Sequence, residues 1–364
     1  MRKRLAALVC MLLTGLLIWR MPEALSQYPV NRDGTIRQRG WQGVLRVWVC
    51  QDWSSSAMGW ITKQAAAFEK SHKGVRVSVR RVPKGAWLAE DAVLPDVIIF
   101  SPGMVDEPRG LLARFGQPEG FIREAARSGE WAGEQYALPL ALGGYVALAN
   151  NALWPEGSPL AEPAPAGKRT RYAIHAPGGG ALAALTGWEA GLIAARSLER
   201  PEGFGEASPD AAYSAFVGGN VAALVCSLDQ ARRFGALVSA GRGFDYRIET
   251  PMSGFCDQVL LIGKAEGGDD RKRGDMAVAF IHAVTGKDAQ DTLLDAGLIP
   301  ALAGADKAGS ATPALQALQE RYQEGLAAPN AFGWSAVKSD FFGRALYAAL
   351  NDASGFRDAI EQVR

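Results

Sequence analysis

Residues 136–151, YALPLALGGYVALANN, decide the fold of this chain. The stretch is apolar almost throughout, contains one proline and two adjacent glycines, and ends at two asparagines. It is too short and too interrupted to cross a bilayer, because a spanning helix needs about 20 consecutive apolar residues. Extended chain that passes from the interior of one lobe to the interior of another has this pattern. We expect valine at Gly143 and Gly144, where the chain would change direction, to impair lobe closure more than folding.

Strand-like segments precede this stretch. Residues 44–49, 75–82 and 96–100 are β-branched, alternating or fully apolar runs, which are typical of strands. Residues 60–74 show apolar residues at helical spacing and end at a glycine. The order strand, helix, strand, strand predicts an α/β layer with a mainly parallel sheet.

Similar segments follow the stretch. Residues 171–176, 221–226 and 255–263 are predicted strands, and helical patterns lie between them and from residue 312 to the C-terminus. A length of 364 residues suits two domains or lobes better than one core. The deciding stretch therefore lies between two α/β regions.

Composition excludes several classes of protein. The formal net charge of +1, with no block of Lys and Arg, argues against nucleic acid as a partner. No Cys or His spacing suggests zinc, and the three histidines lie far apart in the sequence. Outside the N-terminal segment the cysteines are Cys50, Cys226 and Cys256, so at most one disulfide forms within the chain. Cys226–Cys256 is a possible pair, but small buried thiols are the favoured interpretation.

The N-terminus indicates export. MRKR precedes an uncharged run at residues 5–19, which fits a signal peptide, and a small-x-small site at 24–26 precedes Gln27. The alternative is an uncleaved signal anchor that keeps residues 1–26 in contact with the membrane. Both interpretations place the remaining chain outside the cytoplasm. Residues 27–43 are polar without an apolar period and are predicted to be a linker.

The order and spacing of four segments resemble the extracellular solute-binding proteins of ABC importers, in the branch that includes sugar- and maltodextrin-binding proteins. The segments are LRVWV…VRVSVRRV (45–82), YALPLALGGYVALANNALW (136–154), AFVGGNVAALVCS (215–227) and AVAFIHAVTGKDAQDTLLDAGLIPAL (277–302). The resemblance covers roughly residues 44–350. It departs from the family at residues 156–171, where EGSPLAEPAPAGKRTR replaces the usual Trp-rich segment.

This resemblance implies an α/β, two-lobed periplasmic-binding-protein type II fold with an inter-lobe hinge and a ligand cleft. The lobes are expected to close on the ligand. The expected bounds are 44–138 plus 258–298 for the first lobe and 145–254 plus 302–364 for the second, with crossings near 139–144, 255–257 and 299–301.

In such folds the ligand lies between the lobes, near strand C-termini and helix N-termini. Asp52 is a candidate acceptor for sugar hydroxyls and Trp53 a candidate stacking surface. The other candidate ligand-binding residues are Ser101, Tyr145, Gly178, Asp229, Asp257 and Trp334.

Each candidate also has a structural explanation. The aspartates are possible helix caps, Ser101 a turn residue, and the aromatic residues core or surface side chains. Gly178 begins a glycine loop that either lets a ligand approach a helix N-terminus or is a plain turn. The loop also fits a loose dinucleotide fingerprint, but no strand precedes the acidic Glu199 that the fingerprint would need.

The resemblance implies a monomeric binding protein that captures a small solute and delivers it to an ABC permease, without a cofactor or a metal. Carbohydrate is the favoured solute, because the chain has ten tryptophans and the family branch binds sugars, and a polyamine, an anion or a metal chelate are the alternatives. The alternatives are a secreted glycoside-acting enzyme, although GxSxG, HExxH and P-loop motifs are absent from the sequence, and a ligand-sensing protein with the same fold.

Overall fold

The structure is a computed structural model that describes residues 41–89, 93–153, 172–174, 209–221, 223–250, 254–267, 270–305 and 313–341. The predicted signal segment, most of the predicted linker and Gly178 lie outside these ranges. Within the described ranges, no helix is long and apolar enough to cross a membrane.

The secondary-structure elements follow one another in an alternating order. The strands are β1 (Gly43–Cys50), β2 (Val75–Arg81), β3 (Val97–Phe100), β4 (Glu130–Trp131), β5 (Glu134–Gln135), β6 (Leu138–Leu142), β7 (Tyr145–Asn150), β8 (Tyr172–Ile174), β9 (Ala223–Ser227), β10 (Tyr246–Glu249), β11 (Val259–Lys264) and β12 (Ile299–Pro300). The helices are α1 (Ser55–Ser71), α2 (Arg123–Arg127), α3 (Pro209–Val217), α4 (Leu228–Ser239), α5 (Arg271–Thr285), α6 (Lys287–Gln290) and α7 (Pro313–Gly325). Residues 334–341 are also helical.

A six-stranded sheet has the order β12-β6-β11-β3-β1-β2. Its β1 pairs in parallel with β2 and β3, whereas β11 is antiparallel to β3 and to β6, and β12 is antiparallel to β6. The expectation of a mainly parallel sheet is therefore confirmed for β1, β2 and β3, the strands on which it was based, whereas the sheet as a whole is mixed. The reason is the chain path, because β11 enters this sheet from the second sheet and runs opposite to β3.

The six-stranded sheet is covered by α1 and α5, and together they form what we call the first lobe. Ser54 begins α1 by accepting a hydrogen bond from the backbone N–H of Ala57 at 3.2 Å, which satisfies one free donor of the first turn. Phe68 of α1 meets Phe280 of α5 edge-to-face with 5.2 Å between ring centroids. Both rings are buried against the sheet, so the two helices are fixed to the same core.

A four-stranded sheet has the order β10-β7-β9-β8 and, with α3 and α4, forms the second lobe. Strands β7 and β9 are buried along their whole length. Helix α4 begins at a capping box in which the Ser227 hydroxyl and the Gln230 side chain bond each other's backbone N–H. Phe216 and Phe234, with centroids 5.0 Å apart, fill the space between the two helices and the sheet.

The stretch at residues 136–151 connects the two sheets. Strand β6 lies between β12 and β11 in the first lobe, and β7 lies between β10 and β9 in the second. Only Gly143 and Gly144 separate these strands. The stretch is apolar because each half is an interior strand of a different sheet.

Candidate functional site

A cavity of about 700 Å³ lies where the ends of the two sheets face each other. This volume is within the range of about 300–1,000 Å³ that is usual for small-molecule sites. Trp53, Arg81 and Ser101 line it from the C-terminal ends of β1, β2 and β3, and Tyr145 and Ser227 line it from the paired ends of β7 and β9. The cavity therefore has walls from both lobes.

Seven of the eight predicted site residues line this cavity. They are Asp52, Trp53, Ser101, Tyr145, Asp229, Asp257 and Trp334. The eighth, Gly178, lies outside the described residues. The described structure thus brings residues from six separate parts of the sequence to one cavity.

Two chain crossings, at residues 143–145 and 256–258, bond to each other, and Tyr145, Asp257 and Gln258 from them line the cavity. The Gly143 N–H donates to the carbonyl oxygen of Gln258 at 2.7 Å, and the Gly144 N–H donates to its side-chain Oε1 at 2.9 Å. The Cys256 thiol lies 3.6 Å from the Gly143 carbonyl oxygen. Gln258 is buried and holds both crossings at fixed spacing, although its role was not apparent from the sequence.

The two glycines are required by close packing. Neither has a positive φ. A Cβ atom at Gly143 would lie 2.5 Å from Gln258 Oε1 and 2.6 Å from Trp53 Cζ3, and one at Gly144 would lie 2.5 Å from Leu318 Cδ2. Real Cβ atoms do not approach other atoms this closely, so any larger residue at either position would force its neighbours to shift.

Tyr145 and Asp257 form a buried hydrogen-bonded pair. The Tyr145 hydroxyl donates to Asp257 Oδ1 at 2.7 Å, and the tyrosine is 7% exposed. Burial raises the pKa of Asp257, the Asp52 charge raises it further, and Lys338 and the bond from Tyr145 oppose the shift. Burial, followed by the charge of Asp257, raises the pKa of Tyr145 well above its usual value. Tyr145 therefore remains a neutral donor, and Asp257 keeps acceptor capacity for a ligand.

The loop after β1 is rigid because of Gln51. Its Oε1 accepts from the backbone N–H groups of Trp53 at 3.0 Å and of Ser54 at 2.9 Å. Trp53 is half-buried, and its indole N–H finds no hydrogen-bond partner among the described residues. Asp52 beside it is exposed to the cavity. This loop therefore presents an acceptor and part of a ring surface to the cavity.

Ser101 supplies a second unused donor. It follows β3, is 3% exposed and lines the cavity. Its hydroxyl has no protein partner within the described ranges. Buried hydroxyls are normally hydrogen-bonded, so an unpaired one at a cavity wall indicates a place for a ligand or a water molecule.

Asp229 connects the two lobes. The Ser56 hydroxyl in α1 donates to Asp229 Oδ1 in α4 at 2.9 Å. Arg232 bonds the Ser56 oxygen at 2.9 Å and lies 3.5 Å from Asp229 Oδ1. This cluster, which we call the latch, lies at the edge of the cavity and links the N-termini of α1 and α4.

Trp334 differs from Trp53 in its exposure. It is 2% exposed and packs on Phe341, with 5.5 Å between ring centroids. Its ring also lies against Gly103. Trp334 therefore borders the cavity without presenting a free face for stacking.

Sequence reasoning missed the cationic side chains of the cavity. These are Arg81, Lys84, Arg233 and Lys338. Arg81 ends β2, so the rule that selected Asp52 after β1 would also have selected it. Arg233 lies four residues after Asp229 on α4, and residues at this spacing share a helix face.

The three cysteines are free and buried, as the favoured interpretation predicted, and the possible Cys226–Cys256 disulfide is not formed. Burial raises the pKa of Cys50 to about 11 and that of Cys256 to about 12. These thiols are therefore protonated at neutral pH. Within the described residues, no group of three or more His, Cys, Asp or Glu side chains is placed to hold a metal ion.

No protein-family sequence profile and no curated protein sequence matches the chain. Solved structures do match. The maltose-maltodextrin binding protein of Alicyclobacillus acidocaldarius has a TM-score of 0.56 and 15% identity, over 88% of this chain and 100% of the other. The GacH receptor of Streptomyces glaucescens, solved with and without acarbose, has a TM-score of 0.56 and 14% identity, over 88% and 99%.

A third match is the extracellular solute-binding protein of Staphylococcus aureus in complex with maltose, with a TM-score of 0.57 and 13% identity over 89% of this chain and 96% of the other. Together these likenesses show that the chain has the two-lobed periplasmic-binding-protein type II fold, as predicted. The bounds of the two lobes stay a prediction.

Proposed function

We propose that the protein is an extracytoplasmic solute-binding protein that captures a small carbohydrate and delivers it to the permease of an ABC importer. The cavity between the lobes carries this proposal. It combines the half-buried ring of Trp53, carboxylates that can accept hydrogen bonds from sugar hydroxyls, and hydrogen-bond donors without a partner among the described residues. Three solved proteins of the same fold are named as binding maltose, maltodextrin or acarbose.

The proposed binding mode uses stacking and hydrogen bonds. The half-buried ring of Trp53 stacks on a sugar ring, whose apolar C–H face suits an aromatic surface. Asp52 and Asp257 accept sugar hydroxyls, and Ser101 donates. None of these steps involves chemical change of the solute, so the protein acts as a carrier.

In the proposed mechanism the two lobes close on the ligand by rotating at the chain crossings between them. A rotation at residues 143–144 and 256–258 moves one lobe relative to the other, and the latch between Ser56 and Asp229 forms when the lobes meet. A ligand that contacts both lobes stabilises the closed state, because it binds that state better than the open one. The permease then recognises a surface to which both lobes contribute.

Thermal unfolding with and without candidate sugars tests the proposal. The full-length chain is purified in a detergent with a polyoxyethylene head group, because residues 5–19 are apolar and a maltoside detergent would itself compete. A sugar at 100 times its dissociation constant adds about 2.7 kcal/mol to the unfolding free energy. The panel contains neutral and acidic mono- and oligosaccharides, amino acids, polyamines and oxyanions.

A shift with sugars alone supports the proposal, and a shift only with amino acids or polyamines overturns it. Bound sugar is then recovered and analysed by chromatography. Intact sugar supports a carrier, whereas a shortened product would support the glycoside-acting enzyme instead.

A further inference from the structure

We propose that the solute is a sugar that carries an anionic group, and that Arg81 of the first lobe and Arg233 of the second bind that group. This inference rests on the proposed carbohydrate function and names its substrate class. It follows from the charges of the cavity wall, from two helix N-termini that border the cavity, and from one buried hydroxyl without a partner.

Cations exceed carboxylates on the wall. Four cationic side chains line the cavity, against the three carboxylates of Asp52, Asp229 and Asp257. One cation on the wall is already paired, since Lys84 lies 2.9 Å from Asp106. One carboxylate is also paired, since Asp229 is bonded within the latch. Lys338 interacts electrostatically with Asp257, so the remaining charges of the wall are those of Arg81, Arg233 and Asp52.

The two arginines keep donors for a ligand. Arg81 Nη2 lies 3.5 Å from the Ser54 carbonyl oxygen, and Arg233 places its guanidinium carbon 4.8 Å from the centre of the Tyr213 ring. Stacking on a ring uses the face of the guanidinium and leaves its in-plane N–H groups available. Among the described residues, neither arginine forms an ion pair with a carboxylate. A planar guanidinium binds carboxylate and phosphate oxygens in two parallel hydrogen bonds.

Two helices add positive potential from opposite sides. Ser54 begins the 17-residue α1 and Ser227 begins the 12-residue α4, and both residues line the cavity. The N-terminus of a helix carries about half a positive charge and attracts anions. Ser101, 3% exposed and without a partner among the described residues, adds a hydroxyl donor at the same wall. The wall thus offers charge and donors to an anion from both lobes.

The carboxylates of the cavity wall indicate which groups the ligand carries besides its anionic group. Asp52 and Asp257 lie on the same wall and would repel a small oxyanion such as sulfate. They would accept hydroxyl groups of a sugar. A ligand with hydroxyls and one anionic group satisfies both kinds of residue, and a neutral maltodextrin leaves the two arginines without a partner. The anionic group is a carboxylate, as in a uronate, or a phosphate ester.

Isothermal titration of the full-length protein with matched probes tests this inference. The probes are galactobiose and digalacturonate, glucose and glucose 6-phosphate, maltose, inorganic phosphate and sulfate. We expect an acidic sugar to bind at least tenfold more tightly than its neutral counterpart, and its affinity to fall as salt is raised. The comparison of digalacturonate with glucose 6-phosphate identifies the anionic group.

Variants with matched controls locate the site. Arg81→Gln and Arg233→Gln should each weaken binding of the acidic sugar at least tenfold and change binding of a neutral sugar less than threefold. Arg80→Gln, one residue away on the same strand and exposed, and Arg242→Gln, exposed after α4, should change neither. Circular dichroism of each variant confirms folding.

The outcomes separate the two proposals. Equal or tighter binding of the neutral sugars overturns the inference and leaves the carbohydrate function in place. Tight binding of phosphate or sulfate, with no sugar bound, overturns the carbohydrate function and keeps an anion site at the arginines. An acidic sugar that binds equally well to both arginine variants overturns the assignment of Arg81 and Arg233.

Discussion

The hydroxyl of Tyr145 donates a 2.7 Å hydrogen bond to Oδ1 of Asp257, and this bond joins two crossings of the chain that lie 112 residues apart in the sequence. Tyr145 begins β7, immediately after the glycine pair, and Asp257 precedes β11. The pair lies beside Gln258, which bonds Gly143 and Gly144. Under the proposed function we therefore expect binding and hinge motion to be coupled, because a ligand that contacts Asp257 would also contact the proposed hinge.

The raised pKa of Asp257 predicts an unusual dependence of stability on pH. Between the ordinary value of 3.8 and the raised folded value, the native state binds more protons than the unfolded state, so its unfolding free energy falls as pH rises. The substitution Asp257→Asn removes this loss of stability, and the asparagine side-chain oxygen can still accept the hydrogen bond from Tyr145. We expect the variant to gain stability relative to the wild type as pH rises through that window, measured by urea unfolding.

Asp106→Asn is the matched control with the opposite sign. Desolvation opposes the shift, but hydrogen bonds from Ser335 and Lys84 lower the pKa of Asp106. This residue contributes stability above 3.8 that is lost as pH falls through its folded pKa. The variant should therefore lose stability relative to the wild type as pH rises to about 4. Parallel pH curves for the two variants would contradict both assignments.

Gly143→Ala should destabilise the fold directly. The new Cβ would lie 2.6 Å from Trp53 Cζ3 and 2.5 Å from Gln258 Oε1, and relief of such overlap costs about 1–3 kcal/mol. The sequence-based expectation was that valine at Gly143 and Gly144 impairs closure more than folding; from the close packing we expect a direct loss of stability as well. Gly59→Ala is the control, because Gly59 lies in α1 with no atom within 4 Å of its Cβ position. That change should stabilise by about 0.5–1 kcal/mol in the same urea experiment.

Two tryptophans that look alike in the sequence should behave differently. Trp53→Ala should reduce sugar affinity by tenfold or more, with a small change in melting temperature, because its ring is only half-buried. Trp334→Ala should cost about 3–5 kcal/mol of unfolding free energy, because its ring is 2% exposed. Titration calorimetry and urea unfolding of both variants make the comparison. Equal effects on stability would contradict the difference in packing.

Sequence patterns predicted the parts of the site that depend on strand ends. Asp52 and Ser101 follow apolar runs, and the C-terminal ends of neighbouring parallel strands meet at one edge of a sheet. The passage of the chain from one sheet to the other was predictable, because the glycine pair has an apolar segment on each side. The antiparallel direction of β11 could not be predicted, because strand direction depends on the route of the whole chain.

Burial and pairing were the features that the sequence did not reveal. Trp334 packs on Phe341, seven residues later in the same helix, and on Gly103, which is distant in the sequence. The contact with Gly103 is a tertiary contact that no local pattern reveals. Arg81 was counted as part of an alternating strand, and its approach to the Ser54 carbonyl is a tertiary contact. Gln258 has no local pattern at all, since its side chain bonds a backbone group 114 residues away.

The latch gives a prediction about closure that is independent of ligand identity. Ser56→Ala removes the hydroxyl that bonds Asp229 across the lobes, and leaves the core of α1 untouched. If this bond forms only on closure, the variant should have nearly wild-type stability, a severalfold lower ligand affinity and a larger radius of gyration by small-angle scattering. Thr62→Ala is the control on the same helix, because its hydroxyl bonds the Met58 carbonyl oxygen of α1 itself at 2.8 Å. Equal scattering profiles and affinities for the two variants would mean that the latch does not contribute to closure.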